Sequence, residues 1–162
     1  MALKGRYICR NPAKYIGNAN KIIFRSSWEI NVMRYFDLST GVKRWSSEPF
    51  HIMYISPKDR QPHRYFPDFY VEYIHKDGSI KKEIVEVKPL HETVDSAAKT
   101  DRDKFALIVN KAKWAAANIF AKAHGMTFRV ITEMSIFKTP PKYKTPKKIK
   151  PKIRAKGPKR PK

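Results

Sequence analysis

The stretch YFPDFYVEYIHKDGSIKKEIVEVK, residues 65–88, holds two runs rich in aromatic and β-branched residues on either side of Lys76-Asp77-Gly78-Ser79. Residues of those types favour strands, and an Asp-Gly pair between them favours a tight antiparallel connection. The pattern predicts one strand from about Tyr65 to Ile74 and another from Ile80 to Lys88. Side chains alternate along a strand, so Val85 and Val87 share an apolar face while Glu86 and Lys88 share a charged one. A hairpin would carry the carboxylate of Asp68, set among Phe66, Pro67 and Phe69, toward Glu86.

Ahead of these strands, Ser26-Ser27-Trp28-Glu29 has the form of a capping box, and Trp28, Val32, Tyr35 and Phe36 follow at helical spacing. A helix is expected over residues 27–38. Phe50 to Ile55 reads as a strand between Pro49 and the Ser56-Pro57-Lys58-Asp59 cluster. Beyond the hairpin, Phe105, Ile108, Val109, Ala112, Ala116, Ile119, Phe120 and Ala123 recur three and four residues apart, as on one face of a long helix that Gly125 would cap. Thr127 to Thr132 alternates and supplies a last strand. The resulting order, α-β-β-β-α-β, is that of an α/β fold with a mixed sheet and flanking helices.

Charge separates the ends from this middle. Lys and Arg total 35 against 14 acids, for a net +21. Residues 138–162 hold twelve bases, no acid and six of the twelve prolines, and leave +9 on the rest of the chain. Such a segment cannot keep a helix or bury a core, and it is expected as a disordered basic tail, with Lys147, Lys148 and Lys150 meeting a polyanion. Residues 1–23, with Gly5, Pro12 and Gly17 and no periodicity, are expected as an irregular basic leader, which places the domain at 24–137. A basic domain suits phosphate contacts made without reading bases. No run approaches the ~18 apolar residues of a membrane span, and no secretory signal opens the chain, so a soluble intracellular protein is expected. One cysteine, Cys9, excludes an internal disulfide framework, and the histidines show no zinc-like spacing.

Two carboxylates brought together repel unless a cation lies between them, and oxygen ligands of this kind suit Mg2+ or Mn2+. Such an ion polarises a phosphoryl oxygen and lowers the pKa of bound water, while Lys88 positions that water or neutralises charge on the phosphate. The alternative for the same residues is a structural ion pair between Lys88 and its acidic neighbours. Glu29 has two readings as well, because the third position after Ser26 is where a glutamate caps a helix without doing chemistry. Arg25, His63, Arg64, Lys111 and Lys113 are candidate DNA contacts.

Asp68 followed by Glu86-Val87-Lys88, with a helix bearing Glu29 ahead of them, resembles the PD-(D/E)-x-K nuclease superfamily, whose restriction-endonuclease-like core has the same element order. The blocks Arg25-Ser26-Ser27-Trp28-Glu29, His63-Arg64-Tyr65-Phe66-Pro67-Asp68 and Val85-Glu86-Val87-Lys88-Pro89 are similar to those of the head-completion nucleases of large tailed bacteriophages. Asn110, Trp114, Gly125, Phe128 and Thr132-Glu133 extend the likeness. Transposase endonuclease subunits are a more distant likeness. The resemblance implies a DNA endonuclease acting in the host cytoplasm during virion assembly, and it makes portal or neck proteins candidate partners and homodimerisation a candidate state. It implies Asp68, Glu86 and the Val87 carbonyl as metal ligands, Lys88 as the catalytic lysine and Glu29 as an additional acid. The competing expectations are a non-catalytic DNA-binding virion assembly protein that keeps the fold, and a subunit of a transposition complex.

Overall fold

A computed structural model describes residues 3–136. The expected basic tail, with Lys147, Lys148 and Lys150, lies outside the described residues. Two short strands, β1 (Gly5–Arg6) and β2 (Ile23–Phe24), precede helix α1 (Ser27–Leu38). Then come β3 (Val42–Ser47), β4 (Ile52–Ile55), β5 (Pro62–Tyr65), β6 (Phe69–Ile74) and β7 (Ile80–Val87). Helix α2 (Asp101–Ala123), strand β8 (Thr127–Ile131) and the one-turn α3 (Glu133–Ile136) complete the order.

The central sheet runs β3-β6-β7-β8. β6 pairs antiparallel with β3 and β7, and β8 returns parallel to β7 after the α2 crossover. Trp45, Phe69, Val71, Val85, Val87 and Ile131 form one core with Val32, Met33 and Phe36 of α1. On the opposite face Ile84 packs with Ile52, Tyr54, Tyr65 and the α2 residues Ala117 and Ala121. The α-β-β-β-α-β core is thus α1-β3-β6-β7-α2-β8, a mixed α/β sandwich with a β4–β5 hairpin inserted after its first strand. No helix of the described residues is long and apolar enough to cross a membrane.

Four sequence expectations change. The first strand of the sheet is Val42–Ser47, not Phe50–Ile55. Its alternation is broken by a register shift between Val42 and Arg44, so Val42, Trp45 and Ser46 are buried with no period of two. Phe50–Ile55 does yield a strand, but that strand pairs only with β5 and lays Ile52 and Tyr54 against α2. The expected 65–74 strand is cut at Phe66-Pro67-Asp68, between β5 and β6, where proline has no N–H to give a ladder. On α2 the buried positions are Leu107, Asn110, Ala117 and Ala121, while Phe105, Ile108 and Ile119 are exposed.

The fourth change concerns the leader. Tyr7, Ile22 and Phe24 belong to the α1-side core, so residues 5–24 are packed on the domain rather than ahead of it. What holds them is Asp37, a fully buried carboxylate on α1. It accepts hydrogen bonds from Tyr7 Oη at 2.8 Å, Arg10 N at 2.7 Å and Asn11 N at 2.9 Å. A buried charge is tolerable when its lone pairs are filled, and here leader groups fill them.

Candidate active site

The Phe69–Val85 pairing of β6 and β7 sets Asp68, one residue before the paired segment, level with Glu86. Both belong to the α2-side face, since Phe69, Val85 and Val87 point to the α1-side core. Asp68 Oδ2 accepts the Val87 N–H at 2.7 Å, which ties the aspartate to the strand carrying its partner. Glu86 is 4% exposed. Its Oε2 accepts the Tyr65 hydroxyl at 2.7 Å and its Oε1 lies 3.3 Å from Lys88 Nζ. The structure therefore brings Asp68, Glu86 and Lys88 together as the sequence predicts.

The electrostatics of the trio are strained. Burial first, and then the Glu86 charge, push the Asp68 carboxyl up to about 8, against the bond from Val87 and the nearby Lys88 ammonium. Burial alone would drive Lys88 toward neutrality, but Glu86 and Asp68 outweigh it and hold its pKa above the ordinary lysine value. The Tyr65 hydroxyl is pushed far upward, by burial and then by Glu86, so it stays a neutral donor. One cation is thus shared by two acids, and a second positive charge would relieve the excess.

Glu29 stands at the start of α1 with its side chain on the Arg25 backbone, and its charge also acts on the Asp68 carboxyl, so both of its readings stand. Ser26 Oγ accepts the Glu29 N–H at 3.0 Å, and Glu29 Oε2 accepts the Arg25 N–H at 2.8 Å. Among the described residues no three His, Cys, Asp or Glu side chains converge as a metal-binding group. The donor set at the site is therefore two carboxylates and nearby backbone, which fits Mg2+, an ion that keeps several waters and takes one or two protein carboxylates.

His63, Arg64, Lys111 and Lys113, four of the expected DNA contacts, make no hydrogen bond or ion pair to the trio. His63 Nε2 lies 2.8 Å from Asp59 Oδ2 on the hairpin, and Arg64 is exposed on the face opposite Tyr65. Lys111 is paired with Asp95 at 2.7 Å. Lys113 places its ammonium 5.7 Å from the Tyr65 ring centroid and 5.8 Å from that of Tyr54, so it braces the hairpin that holds Glu86. A cavity of about 420 Å³ between α1 and β8 lies on the other side of the sheet.

Three contributors escaped the sequence reading. Tyr65 and Glu133 stood inside blocks quoted for the resemblance but carried no role. Glu133, buried, accepts the Leu90 N–H at 2.8 Å, and Lys88 N donates to Ile131 O at 2.9 Å, so β8 and α3 fix the chain on both sides of Pro89. Glu48 has no sequence signal. Its N–H donates to Asp68 O at 2.9 Å, and its carboxylate takes both terminal nitrogens of Arg25.

The sheet thus carries an acid just before β6 and a Glu-x-Lys at the end of β7. Comparison with known proteins gives the particular family. The family model described as "TnsA-like endonuclease N terminal" matches residues 39–133, a span that includes Asp68, Glu86 and Lys88 and begins after α1. The chain is also 32% identical over 143 residues to the head completion nuclease of Enterobacteria phage T4, covering 82% of this chain and 93% of that protein. The chain belongs to the TnsA-like endonuclease family, and the T4 head completion nuclease is a relative along most of its length.

Proposed function

We propose that this protein is a divalent-metal-dependent DNA endonuclease that hydrolyses phosphodiesters at DNA ends during phage head completion, with Asp68 and Glu86 as its metal ligands. The observation that carries the reading is the level pairing of Asp68 and Glu86 across β6 and β7 with Lys88 on the Glu86 carboxylate. The role in head completion rests on the name of the T4 relative.

Asp68 and Glu86, with the Val87 carbonyl beside them, would hold Mg2+ or Mn2+. The ion, when bound, supplies Lewis-acid stabilisation of the phosphate and a water of lowered pKa. Val87 N–H and Tyr65 Oη each occupy one carboxylate oxygen and so fix how the other is presented. Lys88, held charged, faces the same side and supplies positive charge where the phosphate gains negative charge. Base recognition is not required, because a basic domain binds backbone phosphates regardless of sequence. The setting would be the cytoplasm of an infected bacterium, with portal or neck proteins as partners.

The test is cleavage of linear and circular DNA by the purified chain in Mg2+, in Mn2+ and in EDTA. Cleavage in the metals, its loss in EDTA and its loss in Asp68→Ala and Lys88→Ala with DNA binding kept are expected. Persistence of cleavage in both variants would overturn the reading. DNA binding with no cleavage by the parent chain would favour a virion assembly protein that keeps the fold without the chemistry.

A further inference from the structure

A circuit of contacts joins the start of α1 to Asp68. Glu29 accepts the backbone N–H of Arg25. The Arg25 guanidinium grips Glu48 with both terminal nitrogens, and the Glu48 N–H donates to the Asp68 carbonyl at 2.9 Å. Arg25 is therefore set one residue link from the aspartate of the site, and the Asp68 and Glu29 charges both act on its guanidinium.

Glu48 sits there at a conformational cost. Its φ is +45°, in the left-handed region that side chains with a Cβ rarely adopt, and it directly precedes Pro49, which restricts it further. Strain of this kind persists where the surroundings over-determine it and is concentrated at functional sites. The fork of an arginine matches a carboxylate and a phosphate with the same two parallel N–H donors. Both partners are about half exposed, with side chains at 52% and 44%, so an incoming strand can reach them.

Resting on the nuclease reading above, we propose that Arg25 is a phosphate-binding fork beside the catalytic pair and that Glu48 is its internal stand-in. The Glu48 carboxylate occupies the fork until a DNA phosphate displaces it. The displaced carboxylate remains tethered through its backbone bond to Asp68, so the fork closes again when product leaves. Free enzyme thus keeps its site guarded against weakly held anions, and a strand must outcompete an intramolecular ligand to enter.

The proposal makes an unusual demand, that removal of a contact tightens binding. Affinity for a short fluorescent duplex is measured by anisotropy in Ca2+ without Mg2+, for the parent, Glu48→Gln, Glu48→Gly, Arg25→Gln and the Arg25→Gln/Glu48→Gln double variant. Glu48→Gly keeps the left-handed backbone without strain, and thermal melting confirms that each variant is folded. Both single Glu48 variants should bind about two- to fivefold more tightly, the range an exposed ion pair contributes. Arg25→Gln should bind more weakly, and in its background the Glu48→Gln gain should vanish. Weaker or unchanged binding by the Glu48 variants would overturn the proposal. So would a gain that persists without Arg25, since that is general charge repulsion. Parent cleavage in Mg2+, with Asp68→Ala inactive, is run beside these; if the parent neither binds nor cuts DNA, the nuclease reading fails instead.

Discussion

The Tyr65 hydroxyl donates to Glu86 Oε2 at 2.7 Å, so a residue of the inserted hairpin fixes a carboxylate of the central sheet. The hairpin is therefore part of the site, and its packing on α2 is transmitted to Glu86. Tyr65→Phe removes the donor while keeping the ring. With Glu86 as the proposed metal ligand, loss of its outer partner is expected to cost roughly 10- to 100-fold in metal affinity or activity. The Mg2+ concentration that half-saturates cleavage should rise by that order in Tyr65→Phe, with the fold intact by circular dichroism. An unchanged Mg2+ requirement would separate the hairpin from the chemistry.

Asp68 sets a pH dependence whose sign is fixed. Its pKa in the folded chain is raised to about 8 by burial and by Glu86, whereas in the unfolded chain it is that of an ordinary carboxyl. Between these values the folded state binds a proton that the unfolded state has released, so this group makes the metal-free protein less stable as pH rises. Lys88 stays charged across that range and does not reverse the trend. The melting temperature without metal should fall from about pH 5 toward pH 8, and Asp68→Asn should remove part of the fall and melt higher than the parent at neutral pH. Mg2+ competes with the same proton, so its apparent affinity should climb over this interval. A flat profile shared by parent and Asp68→Asn would count against the arrangement.

Asp37 makes the leader part of the fold. Burial raises its carboxyl pKa, but the donors Arg10 N, Tyr7 Oη and Asn11 N outweigh that and hold it below the ordinary range. Its stabilisation is thus present above the unfolded value and is lost as pH falls through the depressed one. Asp37→Ala leaves Tyr7 and two backbone N–H groups without an acceptor, and should cost about 3 kcal/mol in denaturant melts. Removing residues 1–23 should destabilise more, since Tyr7 and Ile22 leave the core with it. A truncated chain as stable as the parent would restore the boundary at residue 24.

Glu29 can be tested as a cap. Glu29→Gln retains an acceptor for the Arg25 N–H and should cleave DNA within about threefold of the parent, while Glu29→Ala should lose about 1 kcal/mol of stability, the usual value of a capping contact. Loss of cleavage in the glutamine variant with full stability would instead make Glu29 a metal ligand.

The meeting of Asp68, Glu86 and Lys88 was legible because it depends on short-range rules. Glu86 and Lys88 share a face through the period of two, Asp68 meets Glu86 through a hairpin with an Asp-Gly turn, and Ser26 caps α1 through side-chain geometry. Helix α1, the β6–β7 pair, α2 and β8 followed from the same periodicities, whereas the strand that opens the sheet did not. Where the signal is local and repeated, the residues declare it themselves.

What failed was decided by contacts between distant segments. Val42–Ser47 reads as polar because a bulge hides its alternation, and its pairing with β6 and the packing of Trp45 against Tyr7, Tyr15 and Phe36 place it in the central sheet. Residues 5–24 lack any period, yet Asp37 and the α1-side core order them. Glu48 reaches Arg25 across 23 residues. Short-range periodicity was enough to name the side chains that could do chemistry and the faces they lie on. Which strand opens the sheet, that the hairpin bonds Glu86, and that Arg25 is paired with Glu48 came from the folded chain, because they depend on which surfaces are buried together.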